Sequence, residues 1–158
     1  MTWDEPDKIR KAFGCFATGV AVATTRSQAG EPIGITISSF NTVSLNPPLV
    51  LWSVGNDSVS FDAFAQAGYF AVNVLARHQE DLSDRFAARG TDKFAGLDCS
   101  EGVGGVPVLA ECAACFECST EYRYPGGDHL ILVGRVLNFE DHELEPLIFY
   151  RSEFRGAQ

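Results

Sequence analysis

Six small polar residues crowd one short stretch of the chain. Thr36, Ser38, Ser39, Asn41, Thr42 and Ser44 fall within Gly34–Pro48, GITISSFNTVSLNPP, with Phe40 and Val43 between them. Nothing in the stretch is charged. Hydroxyls, the Asn41 amide and main-chain groups suit the binding of a flat, polar-edged ligand, or a solvated Ser/Thr-rich hairpin; a proton-transfer centre would need other groups.

Few other residues offer chemistry. Cys112, Cys115 and Cys118 repeat every third position. Metal ligands must converge, whereas on a strand this spacing turns Cys115 away from the other two, so three small apolar side chains and no metal are expected. No cysteine sits at an evident helix start, which leaves a Cys–His hydrolase unsupported. His129 follows the turn Gly126-Gly127-Asp128 and either donates to a ligand or caps that turn. Asn56-Asp57-Ser58-Val59-Ser60 offers hydroxyls and free N–H groups at a predicted helix start, a setting for phosphate that Asp57 opposes. Arg85 and Arg89, at the far end of another predicted helix, supply the missing positive charge. G-x-S-x-G, G-x-G-x-x-G and the P-loop pattern are all absent, so Gly102-Val103-Gly104-Gly105 reads as a flexible loop.

The elements that must position these residues follow from periodicity. Residues 4–19 read as an amphipathic helix, with Asp4 as cap, Pro6 in the first turn, an apolar face at Ile9, Phe13 and Phe16, and Gly19 as stop. Residues 20–38 form a hairpin around Ser27–Pro32. Asn46-Pro47-Pro48 is a turn, and Leu49–Val54 a buried strand. A short helix starts at Asn56 or Asp57, packs Phe61 and Phe64 inward and ends at Gly68. Tyr69–Leu75 is a strand, Gln79–Ala88 a helix with Leu82 and Phe86 inward, and 89–110 an irregular glycine-bearing connection. Three strands follow: Ala113–Tyr124, His129–Phe139 and Leu147–Tyr150. Hairpin-like turns joining six or seven strands, with two or three short helices, predict a mostly β chain, an antiparallel barrel with appended helices.

Composition bounds the class. A chain of 158 residues with 46% hydrophobic and 21% charged residues reads as a single domain spanning 1–158. No apolar run approaches the ~20 residues needed to cross a bilayer, so no membrane association is expected. Five cysteines, an odd number without a secretory pattern, predict a cytoplasmic protein. The net charge of −9 predicts no nucleic-acid binding, although twelve cations can still gather locally around a small anion.

Taken together, Phe16-Ala17-Thr18-Gly19-Val20, GITISSFNTVSLNPPLVL, Tyr69–Leu75, Arg85-Phe86-Ala87 and Gly127-Asp128-His129 resemble the short-chain flavin reductases, in order, from about Phe13 to Tyr150. These are the reductase components of two-component flavin-dependent monooxygenases, and the resemblance implies an FMN-binding split β-barrel forming a homodimer with its flavin near the interface. It implies FMN or FAD as flavin and NADH or NADPH as hydride donor. By the same resemblance Thr36, Ile37, Ser38, Ser39, Phe40, Thr42 and Val43 lie along the flavin ring and ribityl chain. Asp57, Ser58, Val59 and Arg89 approach its phosphate, His129 places the nicotinamide, and Leu147 and Tyr150 border the same pocket. The chain departs from many relatives by carrying Asp57 and Ser58 where basic residues are common.

Hydride transfer from nicotinamide to flavin needs two rings stacked at reactive distance and no acid–base side chain, which agrees with a site of hydroxyls, amides and one histidine. The expected function is an NAD(P)H:flavin oxidoreductase supplying reduced flavin to a separate monooxygenase. The alternatives are a barrel that keeps its FMN and reduces another acceptor, or a flavin- or small-ligand-binding barrel without turnover.

Overall fold

A computed structural model describes residues 5–90 and 92–156. Helix α1 (Pro6–Phe13) and a two-residue strand β1 (Thr18–Gly19) precede β2 (Ala21–Arg26), β3 (Pro32–Ile37), β4 (Asn41–Leu45) and β5 (Pro48–Gly55). Helix α2 (Phe61–Gln66), β6 (Tyr69–Val74) and α3 (Glu80–Ala87) come next, α3 being entered through a 3-10 turn at Arg77–Gln79. Short strands β7 (Cys99–Glu101) and β8 (Pro107–Leu109) lead to the long pair β9 (Ala114–Gly126) and β10 (His129–Asp141), followed by β11 (Leu147–Tyr150) and β12 (Glu153–Gly156).

Seven strands make one antiparallel sheet in the order β3-β2-β6-β9-β10-β5-β4. Its two edge strands, β3 and β4, are consecutive in the chain and joined by only Ser38, Ser39 and Phe40. Three residues span little more than 10 Å, so the sheet must curl until its edges meet. A smaller sheet, β1-β11-β12, and the β7-β8 pair pack outside it. Among the described residues no helix is long and apolar enough to cross a membrane.

Strand β5 shows how the pleat sorts the chain. Val50, Trp52 and Val54 point inward and are buried, whereas Leu51, Ser53 and Gly55 alternate outward. Trp52 is fully buried, with the rings of Phe64 and Phe70 edge-on at 4.7 and 5.8 Å. Ala21, Ala23, Ile37, Phe70, Val72, Cys118 and Leu132 complete this interior. Val20, Val22, Leu75, Phe86, Leu109, Cys112 and Leu147 form a second cluster under α3 and the small sheet. Strand β2, buried on both faces, separates the two.

Several sequence expectations change. The first helix stops at Phe13, because Gly14 takes the C-cap and its carbonyl accepts from Arg151 N at 3.0 Å. Phe13 and Phe16 are 70% and 80% exposed, so their apolar spacing faces away from this chain's core. The predicted cap Asp4 lies outside the described residues. Helix α2 starts at Phe61, not Asn56 or Asp57, and ends at Gln66. Residues 55–58 instead make a tight turn (Ser58 N to Gly55 O, 3.1 Å) tied to the next hairpin by Asn56 N donating to Asp128 O at 2.9 Å. The connection 89–110 contains the β7–β8 hairpin, and β12 is an additional strand whose short Glu-Phe-Arg-Gly run lacks a strand signature.

Candidate functional site

The bend between β3 and β4 is pinned by main-chain contacts. Ser39 Oγ accepts from Ser53 N at 3.0 Å and lies 3.3 Å from Ser53 O, so this hydroxyl engages the main-chain groups of β5 beyond its pairing with β4. Thr36 Oγ1 donates to the Ser83 carbonyl of α3 at 2.6 Å. Neither hydroxyl is free, which alters the expectation that both are direct donors to a ligand. The Ile37 side chain is buried in the barrel, leaving only its main chain to face outward. Phe40 stacks on Phe116 at 5.6 Å. Ser38 and Thr42 are exposed, and Val43 lies at the bulge where the β4–β5 register shifts, about half exposed. The bend is thus a firm ledge of main chain, two unengaged hydroxyls and one apolar side chain.

Beside it, β3 offers an open edge. It pairs only with β2, so alternate N–H and C=O groups point away from the sheet. A cavity of about 190 Å³ lies there, lined by Ile35, Asp57, Ser58, Val59, Ser60, the end of α3, Arg89 and Lys93. Three residues expected at a phosphate, Asp57, Ser58 and Val59, are therefore brought together with Arg89. Arg85 is not part of this cavity: its guanidinium donates to the Lys93 carbonyl at 2.6 Å and to the Ala95 carbonyl, tying down the following loop. Lys93, unanticipated from sequence, takes its place. Its ammonium donates to the Phe86 carbonyl at 3.0 Å, and burial lowers its pKa. Gly34 makes the arrangement possible, since a Cβ there would stand 2.6 Å from the Phe86 ring.

His129 opens β10 opposite Gly55, the last residue of β5. A Cβ at Gly55 would lie 3.3 Å from Asp57 Oδ1 and 3.9 Å from His129 Nε2, so the glycine keeps open the space that His129 and Asp57 border. His129 Nδ1 sits 2.7 Å from Asp128 Oδ1 on the solvent side, and that hydrogen bond holds the Asp128 carboxyl below its usual range. The pair fixes the ring's orientation and leaves Nε2 outward. Ser53, Gly55 and His129 share the outer face of the sheet.

Leu147 and Tyr150 belong elsewhere. They lie on the small sheet, Leu147 is 2% exposed within the second core cluster, and Tyr150 is flanked by the guanidiniums of Arg151 and Arg155 at 5.5 and 5.2 Å. Leu147, expected to border a nicotinamide pocket, has an inward position along β11 that gives its side chain to the core of this chain. The three spaced cysteines point into three different clusters, Cys112 under α3, Cys115 beside Ala71 and Val106, and Cys118 inside the barrel. Burial raises the Cys112 thiol to about 11 and Cys118 to about 12.

An exposed ledge, a half-open groove of main-chain edge groups and an adjoining cavity holding Arg89 and Lys93 fit an elongated ligand with a flat ring at one end and an anion at the other. A flavin nucleotide has that shape and charge, and the donor set present fits it. The comparisons point the same way. The reductase subunit HsaB of a flavin-dependent monooxygenase of Rhodococcus jostii is 41% identical over 155 residues, spanning 98% of this chain and 79% of that protein. SmoA of Agrobacterium fabrum, an FMN reductase (NADH), is 43% identical over 146 residues, covering 92% and 83%. The solved NADH:FAD oxidoreductase SgcE6 of Streptomyces globisporus, in complex with NAD and FAD fragments, superposes with a TM-score of 0.91 at 37% identity, covering 100% of this chain and 97% of that one. The chain spans about half the length, 48% and 47%, of two other curated relatives from Rhizobium meliloti and Acinetobacter baylyi. Residues 13–158 match the family described as flavin reductase like domain, and the chain belongs to that family.

Proposed function

We propose that this chain is an NAD(P)H:flavin oxidoreductase that hands reduced flavin to a separate monooxygenase. The observation that carries the reading is the ledge and cavity pair: main-chain and hydroxyl groups at Ser38–Thr42 adjoin a compartment whose cations are Arg89 and Lys93, with no acid–base dyad between them. Flavin bound there accepts a hydride from a reduced nicotinamide, a step that needs ring alignment from the protein and no proton relay. In this reading Ile37 and Ser39 present main chain to the ring, while Ser38, Phe40, Thr42 and Val43 line it. Thr36 holds the ledge, and Ser58, Val59 and Arg89 face the phosphate, with Asp57 at its margin. His129 orients the nicotinamide carboxamide through Nε2.

The working unit is a homodimer of single domains spanning 1–158. Ser38–Val43 form an open surface rather than a pocket. The sheet face beside His129 carries Leu51, Ile131 and the stacked pair Tyr122 and Tyr124, which are 47% and 51% exposed. A second copy covering that face would exclude water from it and complete the ring site. The deciding experiment follows NADH consumption with and without added flavin. Turnover that requires added flavin supports the reading; a protein that binds flavin yet is inert to NADH and NADPH removes it.

A further inference from the structure

Cations are scarce in this chain, twelve Lys and Arg against 21 Asp and Glu, yet three of them gather away from the groove. A cleft of about 370 Å³ lies between α1 and the turn joining β11 to β12, lined by Asp7, Arg10, Lys11 and Gly14 on the helix side and by Arg151 and Ser152 from the turn. It shares no residue with the cavity that holds Arg89. We propose that this cleft is a second anion site, binding the phosphate group of a small molecule. Nothing in the flavin reading uses it, so the two stand or fall separately.

Charge comes first. Arg10 lies 3.7 Å from Asp7, whereas among the described residues Lys11 and Arg151 pair with no carboxylate. Three cations and one acid leave the lining at a formal +2, opposite in sign to the chain as a whole. A phosphate ester matches it, carrying about −2 near neutral pH. Cations in the last turn of a helix also complement its dipole, which is reason enough for Arg10 and Lys11. Arg151 needs another reason. Tyr150 and Glu153 are paired, so Arg151-Ser152 is a two-residue hairpin loop, with φ of +48° and +63°. Both positions fall in the left-handed region, where Asn and Gly meet little steric cost and Arg and Ser meet more. The turn carries them all the same, and so delivers a guanidinium and a hydroxyl to the helix end. Arg151 N donates to Gly14 O at 3.0 Å, which holds the turn against α1. The guanidinium is itself oriented, Nε donating to Tyr150 Oη at 3.0 Å and Nη2 to Cys15 Sγ at 3.3 Å. A planar guanidinium beside an ammonium and a hydroxyl is a donor set for phosphate oxygens. The cleft also falls inside the ~300–1,000 Å³ of ordinary ligand pockets, room for a phosphate and the group it esterifies. Asp7, engaged by Arg10, supplies an acceptor for a hydroxyl of that group.

The phosphate belongs either to a separate small molecule or to the hydride donor, and the experiment separates the two. Equilibrium dialysis with labelled inorganic pyrophosphate is run on the wild type, Lys11→Gln, Arg151→Gln and Arg89→Gln, at low ionic strength, where exposed cations are least screened. Expected is binding to the wild type that weakens at least fivefold in Lys11→Gln and in Arg151→Gln and stays within twofold in Arg89→Gln. Lys11 is exposed and holds no ion pair in the described chain, so its variant tests the site even where Arg151→Gln loosens the turn. No binding to the wild type, or binding that neither cleft variant weakens, overturns the site. A loss confined to Arg89→Gln does the same, giving the anion to the cavity beside β3. KM values for NADH and NADPH with and without pyrophosphate then name the source, and both answers keep the site. Competition that disappears in Lys11→Gln assigns the cleft to the donor's own phosphates, and KM values untouched by pyrophosphate assign it to a separate phosphate ester. A protein inert to both nucleotides removes the reductase reading and leaves the dialysis result standing.

Discussion

The Thr36 hydroxyl donates to the Ser83 carbonyl at 2.6 Å, joining the strand that borders the groove to the helix that walls it. Two residues earlier Gly34 lets the Phe86 ring reach the same strand. Thr36→Val keeps the shape and removes the donor, so stability should fall by about 1 kcal/mol, a shift of roughly 2–4 °C in Tm for a chain of this size. Gly34→Ala forces a buried ring to move and should cost ~1–3 kcal/mol. Thermal melts of the two variants test this; a Thr36→Val protein with wild-type Tm and tenfold weaker flavin binding would show that the hydroxyl serves the ligand instead.

Arg89 is exposed at the mouth of the smaller cavity, so its contact with a phosphate is screened. Arg89→Gln should weaken FMN or FAD binding by about fivefold, or ~1 kcal/mol. Riboflavin, which lacks the phosphate, should bind the variant and the wild type equally. A parallel loss for riboflavin would place Arg89 against the ring or ribityl chain.

His129→Ala should raise the KM for NADH and lower kcat modestly while leaving flavin affinity within twofold. Asp128→Asn should act in the same direction and less, because it removes only the group that orients the imidazole. Steady-state kinetics and a melt on the same preparation separate this from a structural role: a destabilised His129→Ala enzyme with normal KM and kcat would reduce the histidine to a turn cap.

His142 bonds the Cys112 carbonyl at 2.8 Å and lies 2.9 Å from Glu140 Oε2, contacts that raise its pKa above 6.5 in the folded chain. A group whose folded value is raised contributes stability that is complete below its unfolded value and is lost as pH climbs through the folded value. Urea unfolding should therefore need more denaturant near pH 6 than near pH 8.5, and His142→Gln should shrink that difference. A difference unchanged in the variant would assign it to another group.

Placing a charge on the apolar sheet face should split the dimer. Tyr124→Glu sets a carboxylate against the stacked Tyr122 ring at the proposed interface. Sedimentation at micromolar concentration should show a dimer for the wild type and a monomer for Tyr124→Glu, with flavin binding lost together with the dimer. A wild-type monomer that binds flavin normally would show that one chain completes the site.

Much of this was legible in the sequence, for identifiable reasons. The apolar–hydroxyl alternation in β3, the β-branched run of β2 and the Gly126-Gly127-Asp128 turn marked the barrel's strands and hairpins, because strands favour β-branched residues and a two-residue period and hairpins need turn residues. The spacing that turns Cys115 away from Cys118 was readable in the same way, whereas Cys112, expected on the face of Cys118, precedes β9 and joins the second core cluster. Long-range competition was not. Nothing near Thr36 reveals that a helix carbonyl 47 positions away takes its hydroxyl. Lys93 and Phe94 sit in a connection without periodicity, and only the fold brings them to β3. Ile9, Phe13 and Phe16 read as one apolar helix face, but α1 ends at Phe13 and both phenylalanines are exposed, since periodicity says neither where a helix stops nor what covers its face. The burial of Leu147 was not legible for a related reason, its inward or outward position being set by pairing with β1 and β12.

The three-residue bend at Ser38–Phe40 has a bearing on how this protein can diverge. The bend is at once the seam of the barrel and the bed proposed for the ring, so its length is set by the circumference of the sheet. Loops elsewhere can lengthen without disturbing the strands, but a residue added at the seam would slide β4 along β5 by one position and turn its side chains to the other face. Variation in ligand choice is thereby driven to the far end of the groove, where Lys93 and Phe94 belong to a connection outside the seven-stranded sheet. Relatives of different nucleotide preference should then differ in the segment aligned with Lys93 and Phe94, while the seam keeps its length.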